Sequence, residues 1–315
     1  MKQFFYLFIL FPSILFAQKI DHLVSFRDLN SDAYFRFTYE NDYFAATDEN
    51  YTQGYDFELV LPLFEKNPVN HLFFIPKDNH TKYGLAIEHL GYTPNHYERP
   101  EIQVGDRPFA AAFMLKGFAI STDVQRKSRF TSSLSLGIIG PGAFGEEMQA
   151  GIHKATGNKE PLGWGNQIKN DVVFNYRVSY EKQLYAYQEL FSFQTYTSAQ
   201  VGTLFTQIST GFNTTIGLID ASFSNHNKGF RMYFYAQPTA TLAGYDATLQ
   251  GGLFNRESPY TIRNSDIERV TAQLDYGLIL KTRTLYFEFS RSLITREIAT
   301  LNSAAWGGIK IGFTF

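Results

Sequence analysis

The chain contains no cysteine, which excludes disulfide staples, thiolate chemistry and lipid attachment through a cysteine. Charge of one sign is also missing. Its 28 basic side chains face 30 acidic ones, for a net charge of −2, so there is no electrostatic footprint of a nucleic-acid binder. Nowhere is there a run of about 18 apolar residues, so no helix is expected to cross a membrane. A half-apolar strand is not excluded by that absence, because a membrane barrel needs only alternate apolar positions. What the sequence has in excess is aromatic: 20 Tyr and 31 Phe bring the aromatic share to 17%.

The first residues, Met1-Lys2-Gln3, precede an apolar stretch from Phe4 to Ala17, and polar Gln18-Lys19 follows. One cation, a short apolar core and a small residue at Ala17 form a signal-peptide pattern over 1–17. The stretch is short for a spanning helix, which needs about 20 residues; a retained anchor is the other reading. Residues 18–315 are read as a single domain, since no repeat or low-complexity linker divides them.

The dominant period is two. Ala33, Phe35, Phe37 and Tyr39 alternate with Tyr34, Arg36, Thr38 and Glu40. Tyr51, Tyr55, Phe57 and Leu59 share one parity, and Thr52, Gly54, Asp56 and Glu58 the other. Val172, Phe174, Tyr176, Val178 and Tyr180 alternate with Val173, Asn175, Arg177, Ser179 and Glu181, and Leu285, Phe287 and Phe289 with Tyr286, Glu288 and Ser290. Each run sets one face on an apolar medium and the other on a polar one.

A soluble sandwich alternates too, but its strands are shorter. Here many runs are long, and aromatics crowd their ends as in an interfacial girdle. The fold expected is therefore all-β: a transmembrane, antiparallel, up-and-down barrel of about 12 strands. The runs are 33–42, 49–64, 80–92, 107–123, 128–140, 170–185, 187–203, 205–219, 229–247, 265–282, 283–297 and 304–315. Two even-numbered connections, Gln125-Arg126-Lys127 and Thr282-Arg283-Thr284, are tight as periplasmic turns should be. The long insertions 93–106, 141–169 and 248–264 are odd-numbered and hence extracellular. The even connection at 65–79 is longer than that rule predicts.

Four polar clusters fall on the extracellular side: Glu40-Asn41-Asp42, Tyr51-Thr52-Gln53-Gly54, Gly105-Asp106-Arg107-Pro108, and the insertion after Gly140. By parity Asp42 and Thr52 are expected to face the lumen. Within the insertion, Glu146-Glu147 early and His153-Lys154 late suit the dipole of a short helix. Gln149 and His153, four apart, share a face of it. Such a helix lying over the barrel mouth would aim His153 into the lumen.

Asn41-Asp42 with Thr47-Asp48-x-x-Tyr51-Thr52-x-Gly54, then Asp106-Arg107-Pro108-Phe109-Ala110, resembles the calcium-dependent outer-membrane lipid A deacylase family. So does Gly140-Pro141-x-Ala143-x-Gly145-x-Glu147-x-Gln149 with His153-Lys154, and Gly163-Trp164-x-Asn166-Gln167. The motifs keep the family's order from about residue 33 to 185, and the strand pattern extends the likeness to the C-terminus. The resemblance implies a hydrolase that removes ester-linked acyl chains at the 3′ side of lipid A, the anchor of lipopolysaccharide in the outer leaflet. It implies His153 as the base that activates water, a task suited to neutral imidazole. Asp42 is implied as a ligand of Ca²⁺, which takes hard oxygen donors. Asn41 is implied as a donor to the ester oxygen, Thr52 as a holder of metal or water, and Gln149 as a substrate contact. The terminal strand, ending on Phe315, resembles the signal read by the outer-membrane insertion machinery.

One departure concerns phosphate recognition. The family's basic pair before its Asp-Arg motif is replaced by the shorter Asn95-His96-Tyr97-Glu98-Arg99-Pro100, where Arg99 is the clear cation. Arg107 is a second substrate-binding candidate, against a plain salt bridge to Asp106. Trp164 reads as a packing aromatic. Ser224-Asn225-His226-Asn227 superficially suggests the Ser/His/Asn chemistry of outer-membrane phospholipases, but lies in an even connection and reads as a polar turn. A non-enzymatic porin or structural barrel is the alternative to the deacylase, and a phospholipase is the third reading.

Overall fold

The computed structural model describes residues 31–45, 50–219, 223 and 229–315. The leader at 1–17, Thr47 and Asp48, and Ser224-Asn225-His226-Asn227 lie outside the described residues. Twelve strands form the wall. They are β1 (Tyr34–Asn41), β2 (Asn50–Val60), β3 (His80–Thr93), β4 (Ala110–Asp123), β5 (Ser128–Ile139) and β6 (Asp171–Tyr187). Then come β7 (Phe191–Gly202), β8 (Phe205–Leu218), β9 (Arg231–Asp246), β10 (Val270–Lys281), β11 (Leu285–Ile294) and β12 (Ala304–Thr314). Each pairs antiparallel with its sequence neighbours, and β1 pairs with β12 to close the barrel. Closure satisfies every ladder, the condition for strands in lipid.

Alternation divides the wall as the sequence predicts. Leu285, Phe287 and Phe289 are exposed on the outside, while Tyr286 and Glu288 are buried within. The lumen is filled by paired polar side chains. Arg36 Nη2 donates to Glu58 at 2.7 Å, and the Tyr34 hydroxyl to the same carboxylate at 2.8 Å. Lys116 bridges Glu88 and Asp56, and the Tyr235 hydroxyl donates to Glu288 at 2.8 Å, near Lys310.

The start of β1, the end of β12 and the short connections 124–127, 188–190 and 282–284 share one rim, the periplasmic one by loop length. The opposite rim carries the long insertions. In the insertion after β5 a single helix forms, α1 (Gly145–Thr156), with Glu146 and Glu147 in its first turn and His153 and Lys154 in its last. It stops at Gly157, whose φ of 75° is the left-handed conformation that glycine adopts freely. A second, one-turn helix, α2 (Ala247–Gln250), follows β9.

Candidate active site

β1 and β2 reach the extracellular rim together. Asn41 is paired with Gln53 in register, and its Nδ2 donates to the Thr52 carbonyl at 2.6 Å. Its Oδ1 accepts from the Tyr43 backbone N–H at 2.8 Å, an Asx-type turn that starts a 3-10 turn over Asp42–Ala45. That turn leans on the outside of the wall: the Phe44 ring meets Phe289 edge-on at 6.4 Å. Asp42 is buried, and its charge acts on the outward-facing Tyr39 hydroxyl.

A β-bulge changes the reading of β2. Pairing to β3 runs from Tyr51↔Tyr92 directly to Gln53↔Gly91, so Thr52 is the extra residue. Tyr51 therefore leaves the outward parity expected for it and turns into the lumen. There its ring lies 5.4 Å from Tyr92 and 5.2 Å from Trp306, and its hydroxyl donates to Glu40. The Thr52 hydroxyl hydrogen-bonds that of Thr93, which shares the outward parity of Gly91 and His89. Asp42 and Thr52 thus do not face the lumen as expected. The bulge displaces one, and the turn after β1 breaks the alternation before the other.

Across the outside of the wall runs one row in register: Asn41↔Gln53↔Gly91↔Ala111. The row ends beneath α1. A Cβ built on Gly145 would stand 2.4 Å from the Ala111 Cβ and 2.6 Å from the Trp164 ring. Tyr97, Phe109, Ala111, Ala143 and Trp164 form the apolar cluster that holds the insertion there. The helix accordingly lies against the outer wall, and the expectation that it covers the mouth and aims His153 into the lumen is corrected. The cause is steric: Ala111 and Gly145 carry so little side chain that helix and wall approach closely, while paired charges fill the lumen.

The buried residues of α1 are Gly145, Gln149 and His153, one stripe at four-residue spacing turned to the wall. Gln149 Oε1 accepts from the Trp164 indole N–H at 2.7 Å, so Trp164 is the packing aromatic expected. His153 Nδ1 lies 2.6 Å from the Lys159 carbonyl oxygen. A carbonyl only accepts, so Nδ1 carries the proton and the lone pair of the neutral ring sits on Nε2. The Tyr97 ring meets the imidazole edge-on at 5.0 Å.

Two further groups on this outer face, Gln53 and His89, were not singled out from the sequence. Gln53 is almost fully buried, with neither amide atom hydrogen-bonded among the described residues; Gln149 Nε2 and His89 Nδ1 are in the same state. His89 Nε2 is 2.9 Å from the Ala143 carbonyl oxygen. A buried polar atom left unmet costs about 1–3 kcal/mol, so their gathering marks a face suited to a polar ligand or bound water. The signal for Gln53 was present: it shares outward parity with Tyr55 and follows Thr52 in the motif.

The two candidate arginines divide. Arg99 is exposed in the turn before β4. Arg107 is buried: its guanidinium stacks over Tyr92 at 4.0 Å, donates to Thr248 at 2.7 Å and pairs with Glu297. That pairing replaces the expected bridge to Asp106 and commits Arg107 to the interior instead of to substrate. Asp106 instead accepts from the backbone N–H groups of Asn95 and Arg107, and burial pushes its carboxyl up.

The sequence model of the family described as Outer membrane protein LpxR matches residues 4–315. The chain belongs to the LpxR family. Among solved structures, LpxR from Salmonella typhimurium superposes with a TM-score of 0.73 at 19% identity, covering 90% of this chain and 100% of that one. The β domain of the Bordetella autotransporter BrkA gives a TM-score of 0.47 at 8% identity, covering 90% and 98%. No curated protein matches the sequence. As a member of the LpxR family the chain is an outer-membrane protein, and the lipid-facing wall has its membrane.

In this LpxR-family barrel the donors around the bulge are all hard oxygens: the Asp42 carboxylate, the Thr52 and Thr93 hydroxyls and the Thr52 carbonyl. Among the described residues no group of three or more His, Cys, Asp or Glu side chains converges. One carboxylate with neutral oxygens fits Ca²⁺ and does not fit a nitrogen- or sulfur-seeking metal.

Proposed function

We propose that the chain is a lipid A deacylase that hydrolyses the ester-linked acyl chains at the 3′ side of lipid A in the outer leaflet. The observation that carries this reading is the position of the site on the outside of the wall, beneath α1 and at the extracellular rim. A lipid in the outer leaflet reaches such a site by lateral diffusion, without entering the lumen. His153 Nε2 takes a proton from water as its oxygen attacks the ester carbonyl carbon. The tetrahedral intermediate then expels the sugar or acyl hydroxyl, which leaves with the proton returned by the imidazolium, and a free fatty acid is released. Hydrogen bonding of Nδ1 to the Lys159 carbonyl orients the ring and leaves Nε2 as the atom that can take a proton. Asn41 and Gln53 border the path of the ester carbonyl. Asp42, Thr52 and Thr93 would hold a Ca²⁺ ion, which would supply charge to stabilise the oxyanion. Arg99, exposed at the same rim, is suited to a lipid A phosphate.

Mass spectrometry of lipid A from cells with and without the intact gene tests the reading directly; loss of an acyl mass only when the gene is present is expected. The His153→Gln barrel should fold, as judged by heat-modifiable mobility, and release no acyl chain. Acyl release by that variant at the wild-type rate would remove the base from the mechanism. Chelation should abolish release, with recovery on adding Ca²⁺ and not Zn²⁺.

A further inference from the structure

The connection between β2 and β3, residues 61–79, is at the periplasmic rim, where 124–127, 188–190 and 282–284 are tight turns. Its length has a structural use. Two 3-10 turns, Pro62–Lys66 and Pro68–Leu72, fold the segment back onto the outside of the barrel. Phe73 is buried against Ala119 and Leu134, flanked by Ile75, Tyr83 and Tyr176. These wall residues have the lipid-facing parity. Leu134 pairs with Gly117 and Tyr176 with Leu134, whereas Lys116 and Phe118 point inward. The absent side chain at Gly117 makes the room: a Cβ there would be 3.5 Å from the Phe73 ring and 3.8 Å from Val69.

The contact also disposes of polarity that lipid cannot satisfy. The Tyr176 hydroxyl donates to the Leu72 carbonyl at 2.9 Å, and Ser132 donates to the Phe74 carbonyl at 3.0 Å. Within the segment, Asn67 accepts from the Val69 N–H and Asn70 donates to the carbonyls of Phe64 and Glu65. Pro62, Pro68 and Pro76 have no N–H to satisfy. The large apolar side chains left outward are Leu63, 67% exposed, Leu72, 60%, and Phe74, 59%, beside the exposed polar heads of Glu65, Lys66 and His71. The Phe74 ring continues into the wall through Phe130, at 4.8 Å, whose partner in register is the outward-facing Tyr180. Glu65 and Lys66 at the end of the first 3-10 turn, and Lys77 and Asp78 just past the segment, supply charge that can reach head groups.

We propose that residues 62–75 are a lipid-embedded anchor, seated among the glycerophospholipid acyl chains of the periplasmic leaflet. Large apolar side chains beside charged and polar ones, on a segment that turns many of its backbone groups onto itself and the wall, are what the head-group and acyl boundary accepts. Continuity with the lipid-facing wall selects lipid as the occupant. The anchor would fix the depth and tilt of the barrel from the side opposite the candidate active site, and stands independently of the catalytic reading.

The absence of native cysteine makes single-site spin labelling clean. Labels at Leu72→Cys and Phe74→Cys are measured by power saturation in vesicles of phosphatidylethanolamine and phosphatidylglycerol. Phe287→Cys on the lipid-facing wall and Arg126→Cys in a periplasmic turn serve as references. The expected result is an accessibility to oxygen over a water-soluble nickel chelate that matches Phe287 and exceeds Arg126. A ratio like that of Arg126 would overturn the proposal, because the segment would then lie in water. So would low accessibility to both reagents: with dipolar broadening it means a second copy covers the face, and without broadening that the chain itself does.

Discussion

Arg107 shows how a charged residue in a family motif acts through architecture. Its guanidinium ties the start of β4 to Thr248 and Glu297, from two other extracellular connections, with Tyr92 as a floor. Taking a partner out of a buried pair costs about 3–5 kcal/mol, chiefly because the remaining charge stays desolvated. Arg107→Met should therefore lower the urea midpoint of the detergent-folded barrel by a corresponding amount, with acyl release falling in proportion to folded protein. Arg99→Ala should do the reverse: the midpoint is unchanged, since an exposed turn side chain contributes little, while the apparent KM for lipid A rises. Unchanged KM would take Arg99 out of substrate binding.

At the scale of elements, the decisive contact is α1 on the wall. Gly145 is the closest point, against Ala111 and Trp164. Gly145→Val places methyl groups where the Ala111 methyl and the Trp164 ring already crowd the helix, so α1 must lift. Misplacing a catalytic group by about 1 Å can cost about a hundredfold, and a loss of that order in kcat is expected. Heat-modifiable mobility should be retained, since the barrel ladders do not depend on the helix. A Gly145→Val enzyme of normal kcat would show that the helix seat is not used in catalysis. The helix itself was legible from its charges and from Gln149 and His153 at four-residue spacing. Its seat was not, because the residues that make it, Ala111, Gly145 and Trp164, come from separate segments.

The whole molecule is a filled cylinder. A barrel of about 12 strands can leave a lumen or close it with side chains. Here Arg36 with Glu58, Lys116 with Glu88, Arg129 with Glu181 and Lys310 with Glu288 occupy it. Planar-bilayer recordings should accordingly show no porin-sized conductance steps at neutral pH. Stable large steps would require these pairs to open and would restore the porin reading. A filled interior also agrees with substrate arriving through the membrane along the outer wall.

The barrel was determined by the sequence itself, because a strand between lipid and a polar interior must alternate. Val172 to Glu181 and Leu285 to Ser290 announce that requirement residue by residue. The family motifs likewise singled out Asn41, Asp42, Thr52, Gln149 and His153 as candidates. Which side of the wall they serve was decided only in three dimensions. One inserted residue at Thr52 inverts the local parity and sends Tyr51 inward, and a bulge leaves no mark on a period of two. The position of α1 depends on where its glycine meets an alanine from another strand, a complementarity of shape that no single segment encodes.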